Sequence, residues 1–274
     1  MSYSVLEIDK AEHVATVWLA NPAKRNAMGP AFWQELPLAM TELSEDSDVR
    51  AIVVAAQGAH FTAGLDLTGM ATVLGGDRTE APASEVAKRR RALAEIGRLQ
   101  RSISSVADCP KPVIAAIHGY CIGGGVDLIT ACDVRVASAD ATFSIRETRI
   151  AIVADVGTLQ RLPGIVGRGI AAELALSGDD FSAQRAFEIG LVNSVHADAP
   201  STHASALALA GRIARNSPLA VQGTKEVLRY CQGKSVEDGL AYVAAWNTAF
   251  LESNDLKEAI GAFFEKRTPK FTGS

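Results

Sequence analysis

Two short runs constrain the fold of this chain more than any other feature: RAIVVAAQG at 50–58 and KPVIAAIHG at 111–119. Neither alternates between polar and apolar residues. Each therefore predicts a strand buried on both faces, as in a parallel sheet covered by helices on both sides. DVRVAS at 133–138 repeats the signature, and ATFSI at 141–145 is a further short strand. A helical pattern at 30–44, with Pro30 in the first turn, precedes the first run, and another at 83–107 lies between it and the second. Pro37 is expected to kink the first of these. Residues 4–8 and 13–19 read as two strands able to pair as a hairpin, and Asn21-Pro22 breaks the second. Residues 68–82 read as a loop with a short helical piece. Strand and helix in alternation predict an α/β domain with a parallel sheet. The strand–turn–helix unit recurs without a fixed sequence period.

From residue 199 the pattern becomes helical, with Ser201, Ser217, Ser235 and Asp255 as expected caps of four successive helices. This divides the chain into a core at 1–198 and a helical region at 199–274. With 274 residues and 48% apolar content, there is enough apolar surface to offset chain entropy. The net charge of −4 offers no general basic face, so nucleic acid is not an expected partner. No apolar run reaches the ~18 residues of a membrane span, so no membrane is expected either. MSYSVLEIDK lacks the features of a signal peptide, which gives an expectation of a cytoplasmic protein.

Cys109, Cys121, Cys132 and Cys231 form no C-x-x-C pair and read as reduced thiols. The scattered histidines suggest no catalytic role, and His118 after a buried strand reads as structural. The run Lys88, Arg89, Arg90, Arg91 reads as a solvated helix face, with contact of one or two cations to a phosphate as the alternative.

Chemistry concentrates at strand ends. CIGGGVDL at 121–128 places three glycines between a strand and a helix. The order fits neither a phosphate loop nor a dinucleotide fingerprint. It allows close backbone approach and free helix N-terminal N–H groups, suited to a small developing negative charge such as an enolate oxygen. Close helix–sheet packing is the competing explanation. HFTAGLDL at 60–67 follows the strand at 50–56 in the same way, so two such turns could aim N–H groups at one point. Three carboxylates accompany them: Asp127 in the first turn after the glycines, Glu147 twenty residues on, and Asp155 eight residues beyond that. Asp155 lies in the apolar stretch IAIVADVGTL. It is either an acid in a pocket or the cap of a helix starting near Val156.

NPAKRNAM at 21–28, FTAGLDL at 61–67, KPVIAAIHGYCIGGGVDLITACDVRVAS at 111–138, GTLQRLPGIVG at 157–167 and the helical tail together resemble the crotonase (enoyl-CoA hydratase/isomerase) superfamily over almost the whole chain. The resemblance implies a ClpP-like α/β spiral of ββα units, with a C-terminal helical region that drives trimer formation and a hexamer built from two trimers. It implies an acyl-CoA substrate and no metal or other cofactor. It also implies an enolate held by the backbone N–H groups of Leu65 and Gly124. Ala63, Gly64, Asp66, Leu67 and Gly125 would lie along the substrate, with Lys24 and Arg25 near the CoA phosphates. Phe263 and Lys266 would complete a neighbouring CoA site.

Within that superfamily the acids set the reaction. Hydratases carry glutamate where this chain has Asp127, and usually a small residue where it has Asp155. The set Asp127, Glu147, Asp155, with ADVGTLQRLP at 154–163 and VAAWN at 243–247, resembles the Δ3,5-Δ2,4-dienoyl-CoA isomerases. By that resemblance Asp155 removes the C2 proton, Glu147 protonates C6 and Asp127 supports the pair. An enoyl-CoA hydratase that tolerates Asp127 is the alternative. A non-catalytic CoA-binding subunit is a third reading, against which the intact acids argue.

Overall fold

The computed structural model describes residues 3–69 and 84–274. Strands β1 (Leu6–Ala11) and β2 (Val14–Leu19) form the expected hairpin. Its two turn residues, Glu12 and His13, have φ of +50° and +67°, as a tight two-residue connection requires. β2 continues in parallel onto β3 (Ala51–Ala56), then β4 (Val113–Ile117) and β6 (Val134–Ser138). β9 (Ser194–His196) closes this edge, so the main sheet runs β1-β2-β3-β4-β6-β9. Every residue of β3 and β4 is buried, which is the reason these runs carry no polar alternation.

The two faces are covered differently. On one, α1 (Pro30–Glu45) and α2 (Glu85–Asp108) bury Phe32, Leu36, Leu43 and Ile103 in the larger core cluster. α1 continues through Pro37. On the other, α7 (Ala199–Ala214) lays Ala206, Ala210 and Ala214 against Val53, Ala55, Ile114 and Ala116. Alanines at this spacing form one face of the helix and let it approach the sheet closely. The first helix of the 199–274 region is therefore packed on the sheet.

A second, three-stranded sheet, of β5 (Tyr120–Ile122), β7 (Thr142–Ser144) and β8 (Phe181–Ser182), carries the glycine turn. That turn leads into α3 (Gly124–Ala131), whose every residue is buried. α4 (Thr158–Val166), α5 (Arg168–Ser177) and α6 (Ala183–Glu188) follow, and the chain ends in α8 (Pro218–Tyr230), α9 (Val236–Phe250) and α10 (Asn254–Glu265). The whole is the α/β spiral that the resemblance implied.

Two helix caps differ from expectation. α7 is capped by Asp198, and Ser201 is its partner three residues on in a capping box. α10 is capped by Ser253, whereas Asp255 lies inside the first turn. Ser217 and Ser235 cap as expected. The loop expected at 68–82 falls mostly outside the described residues.

Asp255 is 2% exposed and accepts from Ser217 Oγ (2.7 Å), Thr272 N–H (2.8 Å) and Gly273 N–H (3.1 Å). It ties the start of α8 to the C-terminal residues. Burial alone would raise its pKa, but these hydrogen bonds outweigh burial and hold it below the usual value. Its stabilisation is therefore full above the unfolded carboxylate pKa and is lost as pH falls through the lower folded value. Asp255→Ala is expected to cost about 2 kcal/mol at pH 7, measured by urea unfolding, with the deficit shrinking toward pH 3.

Candidate active site

Two strand-end turns meet here. Thr62 bridges to Cys121 in parallel register, with Thr62 N–H donating to Tyr120 C=O (2.8 Å) and Ile122 N–H to Thr62 C=O (3.2 Å). Asn26 locks the outer side of the first turn. It is 4% exposed and donates to Gln57 and His60 C=O, both at 2.9 Å. Its own C=O accepts from Thr62 Oγ (2.7 Å), and that hydroxyl accepts from Gly64 N–H (3.0 Å). Met28 then bridges to Leu65, using Gly64 C=O and Asp66 N–H. In such a bridge the central residue's own N–H points the other way. Leu65 N–H is thus turned from Met28.

The approach of the turns needs glycine. At Gly64, φ is +85° and a Cβ would lie 2.7 Å from Ile122 C=O and 3.7 Å from Gly124 N. At Gly124 a Cβ would meet Met28 Sδ at 2.8 Å, and at Gly125 Thr62 Cγ2 at 2.6 Å. The close-packing and ligand-approach readings of the glycine run therefore coincide: the packing is what brings the turns together. As the first residue of α3, Gly124 has no carbonyl within its own helix to receive its N–H.

The structure brings the three acids together. Asp127, fully buried in α3, accepts Thr158 N–H at 2.5 Å through Oδ1. Glu147 opens a short 3-10 turn (Glu147–Ile150), and its carboxyl lies against the α-carbon of Gly123, where a Cβ would stand 3.2 Å from Oε1. Asp155 is half-buried in the extended segment before α4, and its C=O accepts from Gln100 Nε2 at 2.7 Å. The helix-cap reading of Asp155 is corrected: α4 starts at Thr158 behind Gly157, and the carboxylate that meets its first N–H belongs to Asp127. Asp127 Oδ2 and Glu147 Oε2 are buried and meet no donor among the described residues.

All three pKa values move upward. Burial raises Glu147 most, the Asp127 and Asp155 charges add to it, and the result is about 7. Burial likewise raises Asp127, the Thr158 hydrogen bonds oppose it, the Asp155 charge adds to it, and the group reaches about 6. Asp155 is raised by burial. These are the conditions that push paired acids apart into a proton donor and a proton acceptor.

The other expected site residues are less buried. Lys24 is exposed and pairs with Asp66 at 3.5 Å. The Asp66 carboxylate also accepts from Thr68 and Gly69 N–H. Arg25 C=O accepts from Ala63 N–H, and Leu67 is exposed. Phe263 is 77% exposed and sits edge-on to Phe264, while Lys266 ends α10 in a left-handed conformation. Among the described residues, little besides Phe264 covers Phe263. A separate cavity of about 1100 Å³ lies between α3, α4 and α8, and none of the three acids lines it. The sequence reading missed Gln100, Asn26 and Thr158. Asn26 lay within NPAKRNAM, whereas Gln100 carried no local signal. No group of metal-ligating side chains occurs among the described residues.

Comparison with known proteins places this geometry. The model of the enoyl-CoA hydratase/isomerase family matches residues 9–274. The mitochondrial Δ3,5-Δ2,4-dienoyl-CoA isomerase of Dictyostelium discoideum is 44% identical, over 98% of this chain and 91% of its own length. The peroxisomal protein of the same name from Arabidopsis thaliana is 45% identical, over 98% of each chain. The crystal structure of an enoyl-CoA hydratase from Bacillus anthracis superposes with a TM-score of 0.88 at 32% identity, covering 99% of this chain and all of that one. The chain belongs to the enoyl-CoA hydratase/isomerase family. Within the family it is an isomerase. The expectation of a cytoplasmic location is corrected: the isomerase relatives are mitochondrial or peroxisomal.

Because folded Glu147 binds its proton more tightly than a free glutamate, its contribution to stability is full below its ordinary 4.5 and is lost as pH rises through about 7. Glu147→Gln should therefore gain stability relative to the parent across that window, by on the order of 3 kcal/mol. Urea unfolding at pH 4 and pH 8 checks this.

Proposed function

We propose that this enzyme converts 3,5-dienoyl-CoA thioesters to 2,4-dienoyl-CoA by removing a proton from C2 and adding one at C6, the two acids then exchanging with solvent to restore their starting protonation. The observation that carries the reading is the placement of Asp155 and Glu147 in electrostatic contact beside the paired glycine turns. The C2–H of such a thioester is acidic because the resulting charge spreads over the thioester oxygen and the diene. Asp155, the more exposed acid, takes this proton. The N–H groups of Leu65 and Gly124 hold the dienolate oxygen; one such donor is typically worth ~2.7–4 kcal/mol. Glu147, with a pKa of about 7, keeps a protonated fraction at neutral pH and delivers that proton to C6. The double bonds then stand at C2 and C4, conjugated with the carbonyl.

Lys24 and Arg25 lie at the solvent side, where they suit the CoA phosphates. Ala63, Gly64, Asp66, Leu67 and Gly125 supply backbone along the thioester. The reaction needs no metal or cofactor beyond the substrate's own CoA. The exposed Phe263 and Lys266 suit a contact with a neighbouring copy, in a trimer or hexamer built through 199–274. A hydratase reading is favoured by one observation: the negative charge of Asp127 helps to raise the pKa of Glu147, so these two acids act on each other electrostatically. The third carboxylate, half-buried Asp155, and the engagement of Asp127 with Thr158 favour isomerisation.

A paired assay with 3,5-octadienoyl-CoA and crotonyl-CoA should show growth of 2,4-dienoyl absorbance with little hydration. Asp155→Asn should lower kcat by about 10³-fold. Fast crotonyl-CoA hydration without a dienoyl signal, or full activity of that variant, would contradict the assignment.

A further inference from the structure

We propose that Asp127 is a positioning residue for Asp155, holding the turn 155–158 through Thr158 rather than carrying a proton in the reaction. The proposal rests on the reading of Asp155 as the base. Asp127 is fully buried, and its Oδ1 receives the N–H of Thr158, thirty-one residues away, at 2.5 Å. Thr158 is the first residue of α4, and Gly157 at the cap position has φ of +137° and no side chain to offer. The first free N–H of α4 therefore depends on a carboxylate from α3. A charged acceptor at a helix N-terminus is among the stronger hydrogen bonds a protein makes.

Asp155 stands three residues before Thr158. The same segment is held from its other side by α2, where Gln100 Nε2 donates to Asp155 C=O at 2.7 Å. Arg161 donates to Ser104 Oγ at 3.0 Å and reaches Val156 C=O at 3.5 Å. The turn that carries the base is thus clamped between α3 and α2, with buried Asp127 gripping it from within the core. Asp127 Oδ1 is committed to this backbone N–H, while its Oδ2 meets no donor among the described residues, so the variants below separate the contact from any proton the group carries.

The test compares Asp127→Asn with Asp127→Ala. The asparagine oxygen can still accept from Thr158, whereas alanine cannot. The alanine variant should lose kcat about 100-fold, the scale of a base misplaced by an ångström, with KM unchanged because the 24–25 and 63–67 segments are untouched. Asparagine should restore kcat to within about tenfold of the parent. Hydrogen exchange gives a readout independent of turnover: the Thr158 amide should lose protection in the alanine variant and keep it in the asparagine variant, with β3 and β4 unchanged in both.

If asparagine loses kcat as fully as alanine while Thr158 stays protected, Asp127 works through its charge or proton and the proposal is overturned. Parental kcat in the alanine variant overturns it equally. The asparagine variant alone decides if the alanine variant does not fold. If the parent lacks dienoyl turnover while Thr158 exchange follows the expected pattern, the contact stands and the reaction assigned to the site fails.

Discussion

The site depends on one close approach, that of the Thr62–Leu65 turn to the Ile122–Gly124 turn. Gly64 leaves no room for a Cβ beside Ile122 C=O, and Gly124 and Gly125 leave none beside Met28 and Thr62. The contact is held by backbone hydrogen bonds between Thr62 and its neighbours Tyr120 and Ile122, and by the Asn26–Thr62–Gly64 relay. The two turns follow β3 and β4, adjacent parallel strands buried on both faces, the second by way of β5, so the packed sheet restrains where they meet. A catalytic group placed on such a frame needs little reorganisation during reaction, which is where electrostatic stabilisation is most effective.

The same compactness sets the acids. Burial, more than any partner, raises all three carboxylates, and each remaining negative charge makes the next proton harder to remove. Glu147, lying against Gly123, ends highest of the two that reach definite values. Asp127 receives a compensating hydrogen bond from Thr158, which burial alone would not supply. The ordering gives one group suited to donate near neutrality and another, more exposed, suited to accept.

Much of this was legible in the sequence. The apolar runs at 50–58 and 111–119 identified the central strands, since a doubly buried strand cannot hide its composition. The glycines and acids pointed to a candidate site, and in the structure Asp127, Glu147 and Asp155 influence one another electrostatically. What could not be read were contacts between elements. That Asp127 meets the start of α4 depends on how α3 and α4 pack, and no local rule announces it. Gln100 on Asp155 C=O is of the same kind. Ser201 reads locally as a cap, yet Pro200, suited to a helix's first turn, points to Asp198 instead. Asp255 shows the converse, an acid in a helix's first turn whose partners are Ser217 and the chain's last residues.

Turnover of a 3,5-dienoyl-CoA in D₂O, followed by NMR of the product, tests most directly the account of two acids dividing one proton relocation. On the proposed account Asp155 would take the C2 proton, and Glu147, equilibrated with solvent, would give a different one to C6. The 2,4-dienoyl product should therefore carry one deuterium, at C6. A product unlabelled at C6 would mean that a single group moves the same proton, and a 3-hydroxyacyl product would mean that the site adds water.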